Sequence, residues 1–218
     1  MSDFRPAPAL LLFSPKLAEA VEYARGFHTE ARKGSAVPYM AHLLGVAALV
    51  MEEAGGPVTV TEAMVLAALL HDVAEDHGGW HRLAEIRLRF GPDVARMVEG
   101  LSDNLDDGSG RSIRWEERKQ SYLVRLATEP DAVVVISAAD KLYNAKSMLD
   151  SYREVGPALW KHFHRGGRDQ LWYFRALRQV FATRVETRCT VAFSHTLDEL
   201  IALVAATEGD AAAGSAEG

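Results

Sequence analysis

His71-Asp72 and, three residues on, Glu75-Asp76 place an imidazole and three carboxylates directly after the apolar run that begins at Ala63. In a helix, residues four apart share a face, so His71 lies beneath Glu75 and Asp72 beneath Asp76. Ionisable groups that end a buried apolar segment are costly unless compensated, and a divalent cation is the obvious compensation. A solvated helix end is the plain alternative, but acidic groups at a helix C-terminus oppose the macrodipole.

Further residues with matching chemistry stand elsewhere in the chain. His42 closes the run Val37-Pro38-Tyr39-Met40-Ala41-His42, near the expected start of a helix. Alone it reads as structural. Asp140 follows a strongly apolar stretch, so a buried and compensated carboxylate is expected there, and Asn144 lies one helical turn on, able to face the same cavity. Arg32-Lys33 stands at the expected end of the first helix, where cations also suit the helix C-terminus without any function.

The elements that must position these residues read as helices. Apolar spacing predicts helices over Pro15–Lys33 and Met40–Ala54, the second stopped by Gly55-Gly56-Pro57. Thr59-Val60-Thr61-Glu62 fits a capping box that opens the next helix, which runs into the His-Asp motif. Helices over Trp80–Phe90, Asp93–Gly100 and Arg114–Ala127 follow, with a flexible loop expected over Ser102–Ser112. Val133-Val134-Val135-Ile136 has strand propensity, yet no turn residue separates it from the helical Ser137–Met148, so Asp131–Leu149 reads as one buried helix. One or two helices over Pro157–Glu186, broken near Gly166-Gly167, and a last one over Ser194–Ala206 complete an all-α domain of residues 1–206. Residues 207–218, rich in Ala, Gly, Ser and acids, read as a disordered tail.

Composition narrows the function. A chain of 218 residues, 48% apolar and 25% charged, suits one globular core. A net charge of −6 argues against nucleic acid held through phosphate contacts. The single cysteine, Cys189, excludes an intramolecular disulfide and a cysteine-rich zinc site. The apolar N-terminal run lacks a basic region and does not read as a signal peptide, and no apolar stretch reads as long enough to span a bilayer, so a cytoplasmic protein without a membrane partner is expected. The charged run Arg111–Lys119, with Arg118 and Lys119 at its end, reads first as a solvated helix face and second as a flap that brings cations to phosphates.

The ordered set His42, His71-Asp72 and Asp140 resembles the HD-domain phosphohydrolases. With Arg32-Lys33, Pro38-Tyr39-x-x-His42, His71-Asp72-x-x-Glu75-Asp76 and Ala139-Asp140-Lys141-Leu142-x-Asn144, it is similar to the hydrolase domain of RelA/SpoT-type proteins, in the form of the stand-alone small alarmone hydrolases. The resemblance covers about Ala18 to Tyr173. It implies a helical HD bundle and one divalent ion, first of all Mn2+, with His42, His71, Asp72 and Asp140 as ligands. It implies Glu75 and Asp76 as the catalytic acidic pair, and Arg32, Lys33 and Asn144 as residues lining the nucleotide site. The implied reaction is hydrolysis of (p)ppGpp to GDP or GTP and pyrophosphate. Hydrolysis of an adenine alarmone, NADPH or a nucleoside phosphate is the alternative, followed by a non-catalytic nucleotide sensor. Family members often carry Thr after the Glu-Asp pair, where this chain has His77-Gly78-Gly79, so the pocket rim differs. Oligomeric state is not legible.

Overall fold

The computed structural model describes residues 10–105 and 113–214. Among them there is no strand, only an isolated antiparallel bridge between Ala31 and Pro38. The helices are α1 (Lys16–Phe27), α2 (Tyr39–Glu52), α3 (Glu62–Leu70), α4 (Val73–Asp76), α5 (Gly79–Phe90), α6 (Pro92–Leu101), α7 (Trp115–Leu126), α8 (Asp131–Val155), α9 (Gly167–Arg184) and α10 (Arg188–Gly214), with a 3-10 helix, Gly156–His162, after α8. The all-α expectation holds.

Two helices form the centre. Every residue of α3 from Met64 to Leu70 is buried, as expected of a helix apolar on all sides. Residues 133–140 of α8 are likewise all buried, and this packing overrides the strand propensity of the Val-Val-Val-Ile run. Helix α8 packs against α10, α2, α3 and α6. Gly45 lets α2 and α8 approach, because a Cβ there would lie 2.2 Å from the Tyr143 ring.

Four expectations about element ends need correction. Helix α1 stops at Phe27, not Lys33. Pro38 forces the preceding residue into extended geometry, and the segment pairs with itself instead. Arg32 N–H donates to the Val37 carbonyl (2.8 Å) and Tyr39 N–H to the Glu30 carbonyl (2.9 Å). Arg32 and Lys33 therefore sit on a loop, not on a helix end. The cap of α3 is Thr61 itself, whose side chain accepts from Met64 N–H, while Glu62 reaches back to Ser14 instead of closing a capping box with Thr59.

The last helix begins at Arg188, earlier than the expected Ser194, because buried Glu53 accepts the Cys189 (2.6 Å) and Arg188 (3.2 Å) backbone N–H groups at its start. It also continues to Gly214, through the helix-forming Ala211-Ala212-Ala213, so 207–214 is helix and not a structureless tail. Its portion Arg188–Thr207 is long and apolar enough to cross a membrane by length and composition, contrary to the reading of the sequence. In this fold its Phe193, Leu197, Leu200 and Val204 are buried in the core. Residues 106–112 of the expected loop and 215–218 of the tail lie outside the described residues.

Candidate metal centre and active-site cleft

One cleft of about 430 Å3 is lined by all nine residues singled out in the sequence: Arg32, Lys33, His42, His71, Asp72, Glu75, Asp76, Asp140 and Asn144. A depression of about 570 Å3 on the other side of Asp103 contains none of them.

At the cleft floor, His42 comes from α2, His71-Asp72 from the turn between α3 and α4, and Asp140 from the buried half of α8. The two imidazole Nε2 atoms are 3.3 Å apart. Asp72 Oδ2 lies 3.4 Å from His42 Nε2 and 3.1 Å from His71 Nε2, and Asp140 Oδ1 lies 3.4 and 3.7 Å from the same atoms. One ligand atom each from His42, His71 and Asp72 fits within the spacing a single metal ion requires. His71 Nδ1 meets the Ala68 carbonyl at 2.8 Å. That oxygen only accepts, so Nδ1 carries a proton and Nε2 is the nitrogen available for ligation. Tyr39 donates to Asp72 Oδ2 (2.7 Å), and Lys141 (2.5 Å) and Asn144 (2.6 Å) donate to Asp140, which fixes both carboxylates.

The electrostatics favour positive charge at this point. Burial alone would lower the His71 pKa, but Asp72 and Asp140 outweigh it and raise it well above the ordinary histidine range. Burial would raise Asp72, yet the neighbouring His71 and His42 hold it well below the carboxylate range. Burial dominates at His42 and lowers it. One buried and one half-buried carboxylate with two imidazoles form a mixed oxygen and nitrogen donor set, and such a set fits a divalent cation.

The acidic pair parts company. Helix α3 ends at Leu70, and α4 is a separate turn, although Asp76 N–H still bonds to the Asp72 carbonyl (2.9 Å) as in a continuous helix. Glu75 turns away from the His-Asp cluster and accepts the Asp103 backbone N–H at 2.9 Å. Burial, and then the Asp103 charge, push the Glu75 carboxyl up to about 8. Asp76 opens into the cleft, and partial burial and then the Asp72 charge raise it as well.

Several site residues were not singled out from the sequence. Asp103 sits almost fully buried beneath Arg118 (3.0 Å) and Lys119, and burial, which would raise it, is outweighed by Lys119, so it stays below the carboxylate range. Arg118 and Lys119 are therefore tethered cleft residues, which corrects the preferred reading of a solvated face. Tyr39 and Lys141 were quoted within motifs without a role; their signal was adjacency to His42 and Asp140. Asp103 carried no signal, since its position in an irregular polar segment looked like any loop aspartate.

Residues 20–164 match the family model described as "HD domain". The guanosine-3′,5′-bis(diphosphate) 3′-pyrophosphohydrolases MESH1 of Mus musculus and Homo sapiens are each 33% identical to this chain over 136 residues, spanning 61% of this chain and 69% of theirs. A solved structure described as a metazoan ortholog of SpoT that hydrolyses ppGpp and plays a role in starvation responses superposes with a TM-score of 0.64 at 25% identity, covering 88% of this chain and 96% of its own. With its fold, the order of its His and Asp residues and these likenesses in agreement, the chain belongs to the HD-domain family and, within it, to the family of the MESH1 pyrophosphohydrolases.

Proposed function

We propose that this chain hydrolyses the 3′-diphosphate of (p)ppGpp, releasing pyrophosphate as a unit and leaving GDP or GTP. The observation that carries the reading is the convergence in one cleft of a His-His-Asp-Asp cluster, two acidic side chains with raised pKa, and the cations Arg32, Lys33, Arg118 and Lys119. A guanosine carrying diphosphates at both ends is strongly anionic, and the cationic rim answers that charge.

In this reading His42, His71, Asp72 and Asp140 hold one divalent ion. The family resemblance makes manganese the first candidate, and the donor set alone also suits iron, cobalt or zinc. When bound, the ion supplies Lewis-acid polarisation of the phosphoryl group and activation of water.

The protein side chains divide the remaining work. Arg32 and Lys33, on the loop before α2, bind the nucleotide and present its 3′ end. Asp76, open to the cleft, accepts a proton from the attacking water. Glu75, with its carboxyl pushed up to about 8, is protonated at neutral pH and donates to the departing 3′ oxygen. The negative charge of Asp103 maintains that protonation, and its carboxylate ties Arg118 and Lys119 beside the phosphates.

A substrate panel of ppGpp, pppGpp, ppApp, NADPH, GTP and GDP tests the proposal. Both guanine alarmones should be used at similar rates, and GTP and GDP, lacking a 3′ phosphate, should be poor. Preferential use of ppApp or NADPH would reassign the substrate. Turnover of none of these nucleotides by the metal-loaded protein would leave a binding protein.

A further inference from the structure

We propose that His28, Glu30 and His77 form a second divalent-metal site, of the zinc type, beside the active-site cleft and separate from the His42-His71-Asp72-Asp140 cluster.

The three side chains come from two ends of the fold that meet. His28 caps the C-terminus of α1, Glu30 lies two residues on in the following loop, and His77 caps the C-terminus of α4. One ligand atom from each lies within 4.8 Å of the others. The His28 side chain is wholly buried, with its Nδ1 3.0 Å from Glu30 Oε1. The Nε2 atoms of His28 and of His77 are both buried and have no hydrogen-bond partner in the protein. A ring nitrogen withdrawn from water without a partner is destabilising, and His77 Nε2 calls for a ligand; at His28 it is Nδ1, the nitrogen that faces Glu30 Oε1, that would share this ligand with the carboxylate.

The surroundings suit an ion. The His28 and His77 rings meet edge to face with centroids 4.7 Å apart. Tyr39 stacks flat on His28 at 4.5 Å, and Phe27 lies 5.7 Å from His77, so the imidazoles are held in place by aromatic neighbours. Two imidazoles and one carboxylate are the donor set of open zinc sites, with a fourth position left to solvent on the exposed Glu30 side. Nitrogen donors outnumber oxygen here, so affinity should follow the order that places zinc above manganese.

Tyr39 separates the two metal centres and also links them. Its face covers His28, its edge meets His42 with centroids 5.6 Å apart, and its hydroxyl donates to Asp72. An ion at His28-Glu30-His77 would clip the loop that carries Arg32 and Lys33 to the turn that follows Asp76.

The test uses the full chain, stripped by a chelator and dialysed against zinc chloride alone, with zinc per chain read by atomic emission. The wild type should bind one equivalent more than His77→Ala, and Glu30→Gln should weaken that equivalent at least tenfold. His71→Ala should remove a different equivalent, so failure of this site and failure of the catalytic-ion reading are told apart. In the wild type the additional equivalent should raise the melting temperature, and in His77→Ala it should not. Glu30 is exposed, so Glu30→Gln keeps the test decisive if His77→Ala does not fold. Zinc content and zinc affinity equal to wild type in either variant would overturn the site.

Discussion

Arg32 donates from Nη2 to the Asn144 side-chain oxygen at 2.7 Å, and Asn144 in turn donates to Asp140 at 2.6 Å. A residue on the loop before α2 is thereby tied to a carboxylate of the buried cluster. The guanidinium also lies 5.2 Å over the Tyr143 ring. In the proposed reading Asn144 is a positioning residue that acts through Arg32 and Asp140. Hydrogen bonds to charged groups contribute about 1.5–3 kcal/mol. Asn144→Ala should therefore lower kcat/KM roughly tenfold or more, mainly through KM. Combining it with Arg32→Ala should cost less than the two losses together, because both remove one tether. Full additivity in steady-state kinetics would show that the two residues act separately.

Glu75 makes the pH dependence specific. If it is the proton donor, kcat should fall as pH rises through about 8, the value to which burial and Asp103 push it. Glu75→Gln should abolish that limb and slow turnover by on the order of a hundredfold or more. Asp103→Asn should move the limb to lower pH, since the Asp103 charge helps hold the Glu75 proton. A limb left in place by Glu75→Gln would assign it to another group.

The same group gives a stability test independent of activity. Its folded pKa lies above the ordinary 4.5, so the native state binds more protons than the unfolded chain between about 4.5 and 8. The contribution of Glu75 to stability is full below that window and is lost as pH rises through the folded value. Glu75→Gln should then raise the melting temperature relative to wild type at pH 9 and much less at pH 5.

Much of this site was legible because its chemistry is local in sequence. His71, Asp72 and Asp76 fall within two turns, and Asp140 and Asn144 within one, so near-helical spacing brings them to one cleft. What was not legible came from tertiary pairing. The Ala31–Pro38 bridge that lifts Arg32 and Lys33 off the end of α1 depends on two segments closing on each other. The parting of Glu75 from its column depends on Asp103, which lies 28 residues away. The span of α10 was obscured because Glu53, far upstream, caps its start.

Gly45 should be intolerant of a side chain. A Cβ at this position would meet the Tyr143 ring at 2.2 Å, and that ring packs edge to face on His42 with centroids 5.0 Å apart. Overpacking of this kind costs about 1–3 kcal/mol. Gly45→Ala should lower the denaturation midpoint accordingly and, by displacing Tyr143 or His42, reduce metal affinity. A midpoint equal to wild type would show that α2 and α8 separate freely.

The metal ligands should also matter to the folded state. His71→Ala removes one of the four proposed ligands, so it should lose the ion, turnover, and the rise in melting temperature that Mn2+ gives the wild type. Full manganese occupancy in both His71→Ala and Asp140→Ala would contradict the ligand assignment.

The most direct test of the whole account is a turnover of ppGpp in 18O-labelled water, with every product separated and weighed by mass spectrometry. Attack on the phosphorus bonded to the 3′ oxygen predicts one label in intact pyrophosphate and none in GDP. Labelled orthophosphate as the first product, or label in the GDP, would contradict it.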